Sequence, residues 1–179
     1  MIVNFETYGP FALDWENDAH RWRANFWSEI EAQEKYEGLS SAIGCYVFCL
    51  RYNSNYVPWY VGQTINKQGF KGEVFESHKI DHYNELMEEK PRHKPYLMFF
   101  PLMTGEYWNF SKNRSQGKGQ IEWLETTLIG MAYQANPDLR NSAKTKHFRS
   151  VYINGIMGEQ DYGRKTNDAR AAAKMFKLS

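Results

Sequence analysis

The sequence predicts an α+β domain, an α/β sandwich in which a small sheet of about three strands is flanked by helices. Three observations carry this. Two apolar runs, residues 43–52 and 56–61, are separated only by Asn53-Ser54-Asn55, the pattern of a hairpin. A third, nearly continuous apolar run at 96–103 reads as a central strand despite Pro101. Between and around these lie segments with helical spacing. At 179 residues, 42% hydrophobic and 16% aromatic, the chain is long and apolar enough for one packed domain.

Taken in order, the first element is a helix starting from Asp14 or Asn17, either a suitable N-cap, and running to about Glu37. Trp15, Ala19, Trp22, Phe26 and Ile30 recur on one face, and Gly38 ends it. Trp27 and Trp108 are expected at the surface, where a partner would meet them. In the hairpin's second strand Pro58 cannot donate to a ladder, so it belongs at the strand's beginning or on an edge. Residues 70–89 read as a helix, weakened by Gly72 and closed by Pro91. After the central strand come a turn at Thr104-Gly105, a short strand at 106–110 and a flexible polar loop at 111–119. A helix at 120–135 is stopped by Asn136-Pro137, and a short strand at 151–153 and a final helix from Thr166 follow.

The net charge of +1 excludes a uniformly basic nucleic-acid binder, but the charge is unevenly spread. From Arg140 onward nine Lys/Arg face three acidic residues, a local balance of +6 that leaves −5 for the first 139 residues. Such asymmetry fits a chain offering one face to a polyanion; a solvated basic tail gives the same count. No apolar run approaches the ~20 residues of a membrane span, and the opening residues do not resemble a signal peptide, so a cytoplasmic chain is expected. Cys45 and Cys49 sit four apart in one strand, a spacing suited to buried reduced thiols rather than a disulfide or zinc site.

Within the 120–135 helix, Ile121, Leu124, Leu128, Ile129, Met131 and Ala132 form one apolar arc at ~100° per residue. Glu125 falls inside that arc, Glu122 at its margin and Trp123 roughly opposite. A carboxylate turned toward a core is costly unless it is ion-paired, protonated or metal-bound. Periodicity leaves the structural ion pair and the metal ligand equally open.

Gly44-Cys45-Tyr46, then Tyr60-Val61-Gly62 sixteen residues on, then Glu125-Thr126-Thr127-Leu128-Ile129 and Pro137-Asp138-Leu139-Arg140-Asn141 resemble, in that order, the motifs of the GIY-YIG nuclease superfamily. The resemblance covers residues 43–141 of a single domain, leaving 1–42 as a helical elaboration and 142–179 as a basic extension. It implies a hairpin beneath an active site, with Tyr46 and Tyr60 as catalytic phenols and Gly44 and Gly62 permitting close approach. It further implies that Glu125 holds Mg²⁺ or Mn²⁺, that Asn141 steadies the site, and that His78 relays a proton or meets the scissile phosphate. A phenol with its ordinary pKa of ~10 is a poor base at neutral pH, so a nearby cation belongs to the same mechanism. The family's arginine, four residues before the histidine, is replaced here by Val74. Lys71, seven residues before His78, would share its face on a continuous helix and is the expected stand-in.

The resemblance therefore implies a divalent-metal-dependent endonuclease acting on nucleic acid, DNA ahead of RNA, with Arg164, Lys165, Arg170 and Lys174 along the backbone of the substrate. The alternative is a catalytically degenerate module that binds nucleic acid or protein on the same scaffold. An unrelated α+β protein would lack a Tyr46–Tyr60 pair near Glu125.

Overall fold

The computed structural model describes residues 4–15, 19–104, 109–146 and 166–175. They form a mixed α+β architecture around a curled, wholly antiparallel sheet. Its long strands are β3 (Gly44–Tyr52), β4 (Asn55–Thr64) and β5 (Lys94–Thr104). Three short strands, β1 (Asn4–Phe5), β2 (Tyr8–Ala12) and β6 (Asn109–Phe110), bring the described total to six rather than about three. All three short strands pair with β5, which also pairs with β3 along residues 94–101. β4 lies at the rim beside β3.

The hairpin turns at Asn53, whose φ of 54° is the left-handed conformation that asparagine tolerates. Strand alternation then sends the two faces of β3 into different cores. Tyr46, Phe48 and Leu50 pack toward α1 (Ala19–Glu31) and α2 (Ser77–Glu89), against Phe26, Trp27, Ile30, Ile80, Tyr83 and Leu86. On the other face Cys45 and Val47 meet α3 (Arg114–Ala135) through Ile121, Ile129 and Ala132. Helices on both faces of the sheet complete the sandwich. Trp27, read as exposed, is 5% exposed and stands in the larger core, because the turn that buries Phe26 and Ile30 also turns it inward.

Other elements differ in extent from the periodicity. α1 ends at Glu31, and tight turns at Glu34–Tyr36 and Leu39–Ser41 fill the gap to β3. Gly72 does break the 70–89 segment: residues Gly69–Gly72 form an isolated turn, and α2 begins only at Ser77. Residues 114–119 are helical rather than a loop, since α3 starts at Arg114. Met131 is 62% exposed, at the edge of the α3 arc rather than within it. A last helix, α4 (Asn167–Met175), is capped by Thr166, whose Oγ1 accepts the Ala169 N–H at 3.1 Å. The strand expected at 151–153, Trp108, and most of the one expected at 106–110 lie outside the described residues.

β4 carries Pro58 at the rim, where its missing donor costs nothing, and beside a bulge. Phe48 faces Tyr60 while Cys49 faces Pro58, so Trp59 is the extra residue. The outer backbone of β4 is closed by the chain that leaves α3. Asn136 Nδ2 donates to the Pro58 carbonyl at 2.8 Å, and the Arg140 N–H to the Trp59 carbonyl at 2.8 Å. Asn141 then pairs with Val61 like a strand residue, accepting its N–H at 2.9 Å and donating to its carbonyl at 2.7 Å.

Candidate active site

The tyrosines of the two tripeptides come together. Tyr46 and Gly62 are cross-strand partners, and the rings of Tyr46 and Tyr60 lie 6.2 Å apart, tilted by 42°. Glycine at 62 is required by that packing: a Cβ there would come within 2.6 Å of Tyr46 Cε1 and overlap the hydroxyl. Gly44, at φ 156°, lies against the β5 backbone, where a Cβ would stand 2.8 Å from Pro101 Cα.

Tyr83, from α2, completes a cluster of three phenols, stacked face to face on Phe48 with ring centroids 4.0 Å apart. Tyr46 and Tyr83 are fully buried, and Tyr60 is half-buried. The hydroxyls of Tyr46 and Tyr83 are near enough to influence each other's titration, yet neither closes a hydrogen bond of normal geometry among the described residues. All three phenols are held protonated, with pKa values pushed upward chiefly by burial. For Tyr60 the next causes are the charges of Glu125 and Glu73, partly offset by Tyr46. Tyr60, the phenol with a route to solvent, is therefore also the one that feels Glu125.

Beneath the phenols lies a cation that the sequence reading passed over. Lys79 has 4% of its side chain exposed and is ion-paired with Glu73 and, at 3.4 Å, with Glu76. Its Nζ also donates to the Glu73 carbonyl at 3.0 Å and stands 5.6 Å from the centre of the Tyr46 ring. A signal was available: Lys79, Tyr83 and Leu86 are spaced i, i+4, i+7 and share the inward face of α2. Lys71, by contrast, is exposed in the separate Gly69–Gly72 turn and does not share a helix with His78. His78 is exposed as well, 3.8 Å from Glu76.

Glu125 projects from the other side of the sheet, only 13% exposed, and is ion-paired with Lys144. Its field reaches the Cys45 thiol too, which is pushed upward first by burial and then by Glu125. Cys45 donates weakly to the Ile121 carbonyl at 3.4 Å, one turn before Glu125. Opposite Cys45 on β4 stands Gln63, whose buried Oε1 has no hydrogen-bond partner among the described residues. Among the described residues no group of three or more His, Cys, Asp and Glu is gathered for a metal ion. The donors that are present, one carboxylate and one orphaned amide oxygen, suit a hard cation that keeps most of its water or shares phosphate oxygens, as Mg²⁺ does. They do so only once Lys144 releases Glu125.

A cleft of about 510 Å³ opens beside this cluster, lined by Gln63, Thr64, Asn66, Lys67, Glu73 and Arg114. The C-terminal cations are differently disposed. Arg140 pairs with Glu89 at 2.6 Å and Lys144 with Glu125, while Arg170 bonds within α4 to Asn167 at 2.8 Å. Lys174 is exposed on α4, and Arg164 and Lys165 lie outside the described residues. Asn141 supports β4 next to Gly62 rather than reaching into the phenol cluster. No helix among the described residues is long and apolar enough to cross a membrane.

No protein-family model, curated protein or solved structure matches the chain.

Proposed function

We propose that this chain is a divalent-metal-dependent endonuclease built on a GIY-YIG-like core, hydrolysing phosphodiester bonds of nucleic acid. One observation carries the reading. Tyr60 on β4 is held protonated in part by Glu125 on α3, so a phenol at the rim of the sheet and a carboxylate on a helix packed against it share one electrostatic site. The order of elements supports it: tyrosine-bearing hairpin, then α2, then β5, then the glutamate helix.

In this reading Glu125 holds Mg²⁺ or Mn²⁺, with Gln63 Oε1, buried and without a hydrogen-bond partner among the described residues, as a candidate second protein donor. The cation would supply charge neutralisation at the phosphate. Tyr60 holds the attacking water by its phenol, and Tyr46, too buried to touch it, fixes the Tyr60 ring. Because Glu125 is among the causes that raise the Tyr60 pKa, neutralising that carboxylate lowers the barrier to using the phenol as a base. Lys67 and Arg114 line the adjoining cleft and give the nucleic-acid backbone a path.

A second reading, a catalytically degenerate binding module, is favoured by the Lys144 ion pair, which leaves Glu125 satisfied without any metal. Cleavage of plasmid, duplex, branched and single-stranded substrates with Mg²⁺ or Mn²⁺ separates the two. The nuclease reading expects cutting by the wild type and none by Glu125→Ala. Retained cutting by that variant would end it, and binding without cutting would favour the module.

A further inference from the structure

The proposed reaction needs a cation near the phosphate, and Lys71 stands exposed in the Gly69–Gly72 turn, off the helix that carries His78. Resting on that reading, we infer that Lys79 is the phosphate-binding cation of this site and that Glu76 is a displaceable partner occupying its free valence.

The three acceptors around the Lys79 ammonium are unequal. Glu73 grips it twice, through its carboxylate and, at 3.0 Å, through its own carbonyl, and the Glu73 side chain is 22% exposed. Both contacts come from a residue held inside the fold next to Val74, itself fully buried. Glu76 reaches the ammonium only at 3.4 Å, is 41% exposed and is shared with His78. A phosphodiester oxygen offers Lys79 the same charge as the Glu76 carboxylate without moving Glu73. Displacement costs little, since a half-exposed carboxylate regains its water when it leaves. The ammonium's position is already fixed by burial, so no flexible side chain has to be ordered when phosphate arrives. Glu73 also lines the 510 Å³ cleft, which links the buried pair to the surface where a backbone would lie.

A purely structural ion pair and a phosphate site make opposite predictions for Glu76. The experiment measures binding of a short fluorescein-labelled DNA duplex over a salt series in Ca²⁺, by anisotropy, for wild type, Glu76→Ala, Lys79→Arg and Lys79→Met. The expected result is tighter binding by Glu76→Ala and roughly tenfold weaker binding by Lys79→Met. The salt slope of Lys79→Met should also fall by about one. Lys79→Arg should keep most of the affinity, and circular dichroism reports whether each variant folds. If Lys79→Met does not fold, the Glu76→Ala and Lys79→Arg results decide the matter. Unchanged affinity in Glu76→Ala, or no duplex binding by the wild type, overturns the site. Binding that follows the expected pattern in a wild type that cuts nothing would retain the phosphate site and remove the nuclease reading.

Discussion

Replacing Asn141 with alanine tests the account of how the rim of β4 is held. The side chain makes two hydrogen bonds to one residue, accepting the Val61 N–H at 2.9 Å and donating to the Val61 carbonyl at 2.7 Å. Asn141 is 7% exposed and Val61 fully buried, so truncation leaves a buried donor and a buried acceptor unsatisfied. Each orphaned group costs about 1–3 kcal/mol, giving roughly 2–6 kcal/mol for the pair if water cannot enter. In a domain of this size a loss of ~3 kcal/mol lowers Tm by about 6–12 °C. Urea unfolding followed by circular dichroism would read the change as a lower midpoint at unchanged slope. Asn141→Asp should fare no better near neutral pH, because it sets a second acceptor against the Val61 carbonyl. A loss under ~0.5 kcal/mol in Asn141→Ala would refute the argument, since it would mean that the Val61 groups find other partners at little cost.

Other perturbations have equally specific outcomes. Gly62→Ala drives a methyl into the buried Tyr46 ring and should cost at least the ~1–3 kcal/mol of an overpacked core, read from thermal unfolding. Lys144→Met leaves the Glu125 carboxylate without its partner; allowing for the 37% exposure of Lys144, a loss of about 1–2 kcal/mol is expected. Mn²⁺ should then raise the Tm of Lys144→Met more than that of the wild type, and equal shifts would sink the idea that lysine and metal compete for one carboxylate. Burial lifts the Cys49 thiol to about 12, and Cys45 also lies well above its ordinary value. Folded thiols therefore keep protons that unfolded ones lose above about pH 8.5, so stability should fall with rising pH by about 1.4 kcal/mol per unit for each thiol. Cys49→Ala should flatten that alkaline slope, which urea midpoints measured across the range would show.

The hairpin, the central strand and the glutamate helix were legible because their periodicities are strong and their apolar residues contiguous. Elsewhere tertiary contacts overrode local signals. Tyr8–Ala12, where the sequence predicts no element, pairs its backbone with β5 as a short edge strand, where a proline without a donor is tolerated. Residues 114–119 look like a flexible loop because of two glycines, but Gly117 is there for contact. A Cβ on it would press into Leu102 and lie 3.4 Å from both Ile43 and Ile121. The phenol pair could be anticipated from tripeptide order. Lys79 could not be found so easily, because a charged residue between His78 and Ile80 reads as solvated unless its helical phase with Tyr83 is followed. Glu125 was legible as an inward carboxylate, whereas its partner lay nineteen residues away in a segment without periodicity.

The latch on β4 also has a consequence for biosynthesis. Asn141 is separated from Val61 by 80 residues, so a chain emerging from a ribosome completes the hairpin long before its outer rim can be covered. Until residues 136–141 are made, the carbonyls of Pro58 and Trp59 and both polar groups of Val61 stand open to any extended neighbour. Nascent chains on one messenger, crowded and equally unfinished, would offer each other that bare rim. Ribosome-bound chains stalled before residue 136 should thus be more prone to strand exchange and chaperone capture than those stalled well beyond it.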